Sequence, residues 1–380
     1  MKSYDVVVVG CGGVGSAALY HLARRGAKVI GLDRFPPGHA RGSSHGDTRI
    51  IRQAYFEHEN YVPLALESYK LWADLEQRAN LPLFAQVGLL QLGPAAGEVV
   101  TGVLNSARRH GLEVDQLTPT EVRQRFPALG IDDSMCGVLE RAAGYLRVEA
   151  CVQAHATGAC QWGAELAIGP AVLRWEVQAG HVLVHTTHET YSAARLILSP
   201  GAWASTLLDD LGIPLKVVRK PLFWFPVSGE RMRGDKGFPG FLYEMPDGVF
   251  YGFPEVTAGE VKLAEHSGGQ AVTDPLKVER RLQPDDLPRI QEFLGRFLPD
   301  LQPTPLRYSV CLYTLSPDLH FILDRHPDYP QVSFAAGLSG HGFKFTPALG
   351  LALSQLALDG KSSLPIQFLH SQRVGLRPTP

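Results

Sequence analysis

The chain has 380 residues, of which 45% are hydrophobic, 9% aromatic and 19% charged. This apolar content argues against global disorder, and the length favours two domains over a single hydrophobic core. The formal net charge of -2 gives no electrostatic reason to expect nucleic acid or an anionic membrane as a partner.

The cysteine content and the chain termini bear on the compartment. The five cysteines are an odd number without a C-x-x-C pair, which fits a reducing compartment and argues against a disulfide framework or a structural zinc. Residues 1–5 lead into a strand pattern without an apolar signal segment, and no run of about 18 apolar residues is present to span a bilayer. We expect a cytoplasmic protein without a metal site or a membrane partner, and a mobile Pro-rich tail at residues 377–380.

The predicted elements begin with a strand–helix–strand unit and end with a helix. In chain order they are a β-branched strand (4–9), a helix with a small-residue face (12–25), a second buried strand (27–33), a loop rich in Pro, Gly, Ser and His (35–46), a helix (61–77), a strand (84–92), helices (100–110, 118–126 and one from 148), strands (172–177, 182–187 and 196–199), short β-like segments (216–263), a helical pattern broken by prolines (282–297), a strand (331–336) and a helix (347–359). Strand–helix–strand signals at both ends and near the middle, with antiparallel-looking segments between them, predict two interleaved domains.

Residues 10–15, with the sequence GCGGVG, match the dinucleotide-binding pattern G-x-G-x-x-G. They follow a predicted strand, open a helix and precede a second strand that ends at Asp33, which disfavours an ordinary glycine-rich turn. Gly10 permits the tight turn, Gly12 lets the backbone approach a pyrophosphate at the helix N-terminus, and Gly15 allows the helix to pack closely on the strand. Asp33 can accept hydrogen bonds from ribose hydroxyl groups. The motif does not separate FAD from NAD, so an NAD-dependent dehydrogenase remains open at this point.

Residues 42–52, with the sequence GSSHGDTRIIR, place two arginines three residues apart just after the second strand. If the segment is helical, Arg49 and Arg52 share one face. Their guanidinium groups suit carboxylates and phosphates. Without further context, a solvated basic turn would be the ordinary interpretation.

The same segment resembles the N-terminal region of the monomeric sarcosine oxidase and N-methyl-L-tryptophan oxidase family, whose pattern is G-S-H-H-G-D-T-R-[IL]-I-R-H-A-Y. The chain departs from it at Ser44 and Gln53. Further family motifs follow in order at residues 199–203 (SPGAW), 251–254 (YGFP), 262–266 (K-L-x-x-H), 311–314 (CLYT) and 337–345 (GLSGHGFKF). Over nearly its whole length, the chain is therefore identified as a member of these D-amino-acid-oxidase-like flavoproteins.

The resemblance implies an α/β fold with two interleaved domains. The first is a Rossmann-type FAD-binding domain formed by residues 1–80, 145–215 and 320–375. The second is an α+β substrate domain built on a mostly antiparallel sheet, formed by residues 81–144 and 216–319.

The resemblance also makes FAD the expected cofactor. Cys311 matches the cysteine that carries the flavin through a thioether at its 8α carbon, whereas the other four cysteines keep the ordinary interpretation of inert thiols. The implied cofactor-binding residues are Gly10, Gly12, Gly13, Val14, Gly15, Asp33, Arg34, Ser43, Thr48, Arg49, Val172, Gly201, Trp203, Cys311, Gly340, Gly342 and Lys344.

The remaining matched residues are implied in catalysis and substrate binding. Arg52 and Lys344 match a pair that binds the substrate carboxylate. Lys262 matches a lysine that assists oxygen activation, and Arg49 and His45 match positive groups beside the flavin ring. Three residues match aromatic and imidazole groups around the substrate amine: Tyr251, His266 and Tyr313. His266 either shifts the protonation of the amine or only forms a hydrogen bond with it.

The function implied is an FAD-dependent oxidase that demethylates an N-methyl amino acid with O2, sarcosine being the simplest choice. The products would be the free amino acid, formaldehyde and hydrogen peroxide. Open alternatives are N-methyl-L-tryptophan or another secondary amino acid as substrate, a flavin dehydrogenase with a different electron acceptor, and a non-catalytic dinucleotide-binding module. Partners are limited to the small substrate and O2, and a monomer is expected. Phe56 and His58 depart from a G-E-G-like stretch of the family and are expected to reshape the entrance.

Overall fold

The computed structural model describes residues 2–376, so the predicted mobile tail at residues 377–380 lies outside the described part of the chain. Its strands are Ser3–Val9 (β1), Val29–Asp33 (β2), Thr48–Ile51 (β3), Phe84–Ala85 (β4), Leu89–Pro94 (β5), Asp115–Leu117 (β6), Met135–Glu140 (β7), Gly144–Arg147 (β8), Glu165–Ile168 (β9), Val172–Gln178 (β10), His181–Thr186 (β11), Thr190–Leu198 (β12), Lys216–Pro226 (β13), Gly240–Met245 (β14), Gly248–Gly252 (β15), Glu260–Glu265 (β16), Gln270–Ala271 (β17), Arg307–Leu315 (β18), Ile322–Arg325 (β19) and Val332–Ala336 (β20).

The α-helices alternate with these strands along the chain. They are Gly13–Arg24 (α1), Val62–Ala79 (α2), Glu98–His110 (α3), Pro119–Arg125 (α4), Val148–Gln161 (α5), Ala204–Leu207 (α6), Pro288–Phe297 (α7) and Thr346–Asp359 (α8). Among residues 2–376, no helix is both long and apolar enough to cross a membrane.

The first sheet has eight strands and a parallel centre. β1 lies between β2 and β12, all parallel, and β20 joins β12 in the same direction. The β-branched run of β1 is buried on both faces from Val6 to Val9, as expected for the middle of a parallel sheet covered by helices. α1 and α8 pack against each other on this sheet. Their contact is close because Gly350 has no side chain: an added Cβ would lie 2.6 Å from that of Ala17.

The second sheet has nine strands and is mostly antiparallel. Its order is β17-β13-β16-β15-β14-β5-β7-β6, with β18 paired to β13, and only β14 and β5 run parallel. Its strands come from two stretches of the chain, residues 89–140 and 216–315, which alternate with the stretches that form the first sheet. The predicted fold class, an α/β unit interleaved with an α+β unit on a mostly antiparallel sheet, is confirmed.

A third, three-stranded sheet corrects the helical interpretation of the two-arginine segment. Residues 48–51 form β3, which pairs antiparallel with β8, and β4 lies on the other side of β8. The β-branched pair Ile50 and Ile51 favours this strand. Because side chains alternate along a strand, Arg49 and Arg52 project to opposite faces instead of sharing one.

The predicted continuous strand at residues 84–92 is also wrong, since it is two strands in different sheets. Gly88, with a φ of 79°, separates them, and this left-handed backbone suits glycine. β4 belongs to the small sheet and β5 to the nine-stranded sheet. The break carries the chain from one sheet to the other.

Candidate functional site

A long cleft opens at the carboxyl ends of the parallel strands β1, β2, β12 and β20. This is the position at which open α/β sheets bind their ligands. The predicted cofactor residues that line it are Gly10, Gly12, Gly13, Val14, Asp33, Arg34, Ser43, Arg49, Val172, Gly201, Trp203, Gly340 and Gly342. The other four, Gly15, Thr48, Cys311 and Lys344, lie outside its wall.

The N-terminal end of the cleft has the shape that a dinucleotide needs. Gly10 has a φ of 84°, and a Cβ on Gly15 would overlap the carbonyl oxygen of Gly10, so only glycine allows this helix to start so close to β1. At Gly12 the nearest atom to an added Cβ is the hydroxyl oxygen of Ser44, 3.7 Å away. The backbone at Gly12 is therefore open to a ligand at the N-terminus of α1.

Asp33 ends β2 beside this turn. Its carboxylate accepts hydrogen bonds from the backbone N–H groups of Cys11 (2.7 Å) and Phe35 (2.9 Å), and burial raises its pKa. These bonds hold the side chain where a ribose would meet it. The open glycine turn and the fixed carboxylate together fit the adenosine and pyrophosphate portion of FAD.

At the other end of the cleft, Arg49 touches a buried thiol. Arg49 Nη2 lies 3.3 Å from Cys311 Sγ and donates to the carbonyl oxygen of Ser43 at 3.0 Å. Cys311 is fully buried near the middle of β18. A guanidinium at this distance can pair with a thiolate, which is the nucleophilic form of cysteine. We call Arg49, Cys311, Lys262 and His45 the Cys311 cluster.

Lys262 and His45 complete the Cys311 cluster. Lys262 Nζ donates to the carbonyl oxygens of Gly46 (2.5 Å) and Thr48 (2.8 Å) and lies 5.0 Å from the ring centroid of Phe253. Burial, with Arg49 nearby, lowers the pKa of Lys262 well below its ordinary value, and the neighbouring Asp47 and Glu149 partly oppose this shift. Burial, with Arg49 nearby, lowers the pKa of His45 to about 3.

His45 also carries an unsatisfied polar atom. Its Nε2 is buried and has no hydrogen-bond partner among the described residues. Buried polar atoms are rarely left unpaired in folded proteins.

A second group of charged residues, the Arg52 cluster, comprises Arg52, Glu57, Lys344 and Tyr55. Arg52 is 3% exposed, and its Nη2 donates to both carboxylate oxygens of Glu57, at 2.6 and 2.7 Å. Lys344 Nζ donates to the carbonyl oxygen of His341 at 2.9 Å and to the hydroxyl of Tyr55 at 3.4 Å. Arg52 and Lys344 meet at one ring: the guanidinium carbon and Nζ lie 4.3 and 5.2 Å from the centroid of Tyr55.

The two cations of the Arg52 cluster differ in their partners. Glu57 neutralises Arg52. Burial alone would raise the pKa of Glu57, but the charge of Arg52, with a further contribution from Lys344, holds that pKa below its ordinary value. Within the described part of the chain, Lys344 has no carboxylate within 4.0 Å, and burial together with Arg52 lowers its pKa to about 7. The ammonium of Lys344 thus has no carboxylate partner within the cluster, and it can pair with the carboxylate of a ligand.

His266, Tyr251 and Tyr313 form a third group that is uncharged at neutral pH. Tyr313 OH lies 3.5 Å from His266 Nδ1, and the ring centroids of Tyr251 and His266 are 6.5 Å apart. Burial lowers the pKa of His266 to about 3 and raises the pKa values of both tyrosines. Tyr313 also lines the cleft, which joins this group to the cofactor region.

Several residues of the site were absent from the sequence predictions. Glu57 and Gln91 bind Arg52, Glu149 accepts the N–H of Gly46 at 2.6 Å, and Ser44 accepts the N–H of Gly13 at 3.1 Å. No motif marks them, because their partners are brought close only by the fold. Ser44 was noticed only as a departure from the family pattern.

Comparison with known proteins agrees with this geometry. Residues 5–356 match the family described as FAD dependent oxidoreductase (DAO). The chain is 39% identical to monomeric sarcosine oxidase of Streptomyces avermitilis, covering 99% of both, and 36% identical to N-methyl-L-tryptophan oxidase of Yersinia pestis, covering 96% of this chain and 97% of the relative. The solved structure of NikD, an unusual amino acid oxidase essential for nikkomycin biosynthesis, is similar with a TM-score of 0.87, 26% identity and 100% coverage of both chains. L-Proline dehydrogenase from P. horikoshii shares the fold, with a TM-score of 0.83, 22% identity and 97% coverage of both chains.

The chain therefore belongs to the FAD-dependent oxidoreductases of the DAO family. Within that family, its full-length similarity is to the sarcosine oxidase and N-methyl-L-tryptophan oxidase group, and it is an FAD-dependent amine oxidase. The predictions of family, fold class and FAD as cofactor are confirmed.

Proposed function

We propose that the protein oxidises the N-methyl group of an N-methyl amino acid, with sarcosine as the first candidate. The observation that carries the proposal is the Arg52 cluster, in which one buried guanidinium holds a carboxylate and a second cation, Lys344, lies at the same tyrosine ring without one. Such a pair is suited to a substrate that brings its own carboxylate. The names of the full-length relatives give the substrate class.

Substrate binding at the Arg52 cluster requires an exchange of partners. Glu57 occupies Arg52 through two hydrogen bonds. A substrate carboxylate must displace Glu57 from Arg52 or share the guanidinium with it, while Lys344 supplies the second charge-assisted contact. Both cations are buried, so water competes weakly for the carboxylate.

The uncharged group receives the amine end of the substrate. Because the pKa of His266 is lowered to about 3, its imidazole does not repel an ammonium and can hydrogen-bond the neutral amine. Tyr251 and Tyr313 keep their protons and pack beside it. These residues orient the methyl group and keep water from it.

FAD, which the glycine turn and Asp33 would hold in the cleft, would supply the oxidant for a two-electron oxidation of the N-methyl group, with O2 as the final acceptor. The balanced reaction consumes the N-methyl amino acid, O2 and water, and yields the free amino acid, formaldehyde and hydrogen peroxide. Lys262 and Arg49 hold positive charge where negative charge develops. We infer that Cys311 carries the flavin as a thioether, supported by its contact with Arg49.

Peroxide formation tests the function. Purified holoenzyme, with O2 as sole acceptor, is assayed over sarcosine, N-methyl-alanine, L-proline and N-methyl-L-tryptophan. We expect the N-methyl substrates to give equimolar peroxide and formaldehyde, L-proline to give no formaldehyde, and sarcosine to have the highest kcat/KM. If kcat/KM is highest for N-methyl-L-tryptophan, the proposed substrate changes from sarcosine to N-methyl-L-tryptophan, as in the relatives with that name. Turnover with an artificial acceptor but no peroxide would mark a dehydrogenase and overturn the oxidase proposal.

The covalent link is tested by a denaturing gel. Wild-type protein should show a fluorescent flavin band, which Cys311→Ser should lose. Cys151→Ser is the matched control, because Cys151 is another buried thiol that lies on α5 and not beside Arg49, and it should keep the band. A band that survives in the Cys311→Ser variant excludes this attachment site.

We also infer a monomer in the cytoplasm, supported by the relatives named monomeric and by five free cysteines.

A further inference from the structure

Lys220 is a buried lysine on the face of β13 that carries the site, and the function above gives it no role. It is 3% exposed, lies directly across the strand pair from Cys311, and has its Nζ 5.6 Å from the ring centroid of Tyr313. Within residues 2–376 no carboxylate lies within 4.0 Å of its ammonium. Burying a cation without a counter-ion costs free energy, so the presence of Lys220 at this position requires an explanation.

The pairing of β13 shows which segment of the chain lies against Lys220. β16 pairs with β13 up to Phe223–Leu263, and β17 resumes the pairing at Arg219–Gln270. Between these two pairs, three residues of β13 (220–222) face six residues of the returning chain (264–269). Residues 264 and 265 stay paired with β15, and the extra residues beyond them leave the sheet as an arch, which we define as residues 266–269 and which begins at His266.

Lys220 closes the gap beneath the arch. Its Nζ donates to the carbonyl oxygen of Ser267 at 2.5 Å and reaches that of Gly268 at 3.5 Å. The stem packs at Gly269, where an added Cβ would lie 3.1 Å from Lys220 Cδ and where φ is 120°. The ammonium therefore donates hydrogen bonds to carbonyl groups of the arch, whose residues lie outside the β13 pairing.

We propose that Lys220 is a positioning residue that fixes the arch and, through it, the place of His266 beside Tyr313. His266 itself makes a 2.7 Å backbone bond to Val249 on the far side, so the arch is anchored at β15 and at Lys220. The aromatic contact from Nζ to Tyr313 ties the same ammonium to the ring that meets His266. The part about His266 rests on the proposed function, whereas the part about the arch does not.

Hydrogen exchange tests the arch without any substrate. In the holoenzyme, Lys220→Met should speed amide exchange in a peptide covering residues 264–271 by about tenfold or more, because its anchoring hydrogen bonds are gone. Lys216→Met is the matched control, since Lys216 is an exposed lysine on the same strand, and it should leave the peptide unchanged. Unchanged exchange in the Lys220 variant would overturn the proposal.

A double-mutant cycle tests the link to His266. We expect Lys220→Met to lower kcat/KM by about tenfold in the wild-type background and by less than about twofold in a His266→Asn background, because residues that act as a unit are non-additive. Equal losses in both backgrounds would refute the link while leaving the exchange result standing. Loss of gel-stable flavin with wild-type exchange would assign Lys220 to Cys311 and overturn the proposal. If Lys220→Met does not fold, Lys220→Gln, which keeps a polar side chain but removes the ammonium, replaces it in both measurements.

Discussion

The cofactor cleft and the Arg52 cluster differ in the chemical groups that they present to a ligand. The N-terminal end of the cleft is formed mainly by backbone groups: a glycine turn, a helix N-terminus and one carboxylate that is fixed by backbone N–H groups. The Arg52 cluster consists of charged side chains from positions 52, 57 and 344. The first recognises its ligand by shape and closeness of approach, and the second by charge. Substitutions in the cleft should therefore act through sterics, and those in the cluster through pH and competing ions.

The largest effect is expected at Gly15 and would test the steric side of this comparison. In Gly15→Ala the new methyl group overlaps the carbonyl oxygen of Gly10, which should reduce the free energy of unfolding by more than about 3 kcal/mol. In Gly12→Ala, with its nearest neighbour 3.7 Å away, stability should stay within about 1 kcal/mol while FAD binding is lost. Urea unfolding followed by tryptophan fluorescence, together with flavin absorbance, measures both. Similar behaviour of the two variants would contradict the assignment of separate roles.

The next effect concerns the charge on Lys344. Its pKa of about 7 means that the ammonium is present below pH 7 and is lost above it. Because a neutral amine does not pair with a carboxylate, the affinity for acetate should fall by up to about tenfold per pH unit above pH 7. Calorimetric titrations of the holoenzyme from pH 6 to 9 measure this. Lys344→Met should bind weakly and without this slope, whereas Lys361→Met, at an exposed lysine, should retain it. A flat profile in the wild type would show that Lys344 does not bind the carboxylate.

The smallest effect is expected from Glu57→Gln, which sharpens the comparison within the cluster. Removal of the internal carboxylate leaves Arg52 free for a ligand, so acetate should bind about tenfold more tightly at pH 6.5. The matched control is Glu59→Gln, because Glu59 pairs with the exposed Arg109 at the surface. Weaker or unchanged acetate binding in Glu57→Gln would mean that Glu57 does not compete with the ligand.

The same comparison explains how much the sequence could predict. The glycine turn and Asp33 are local, since six consecutive residues and one strand end define them. The family and the FAD cofactor that they indicate are confirmed, and their roles as the dinucleotide site stay a prediction. Most helices and strands were also predictable, since their hydrophobic periods match the observed elements. The conformation of residues 42–52 could not be decided from the sequence, because the pairing of β3 with β8 joins segments about a hundred residues apart.

Partners of the charged residues could not be predicted in the same way. Glu57 follows Arg52 by five residues, a spacing that marks nothing in a strand or a helix, and it reaches the guanidinium only through the turn after β3. Lys220 looks like an ordinary strand lysine until the arch over it is seen. The family resemblance supplied candidate roles for Arg52 and Lys344. It did not indicate Glu57, the internal carboxylate that Arg52 binds.

The central position of β1 has a consequence for how the protein is made. β1 leaves the ribosome before the other described strands, yet its neighbour β12 ends at residue 198, and β20, which flanks β12, ends at residue 336. α8, which packs on α1 through Gly350, is later still. Nascent chains that stop before residue 346 thus lack part of the cleft wall. Cofactor loading is then a late event in biosynthesis, and the unfinished N-terminal half is a natural client for chaperones.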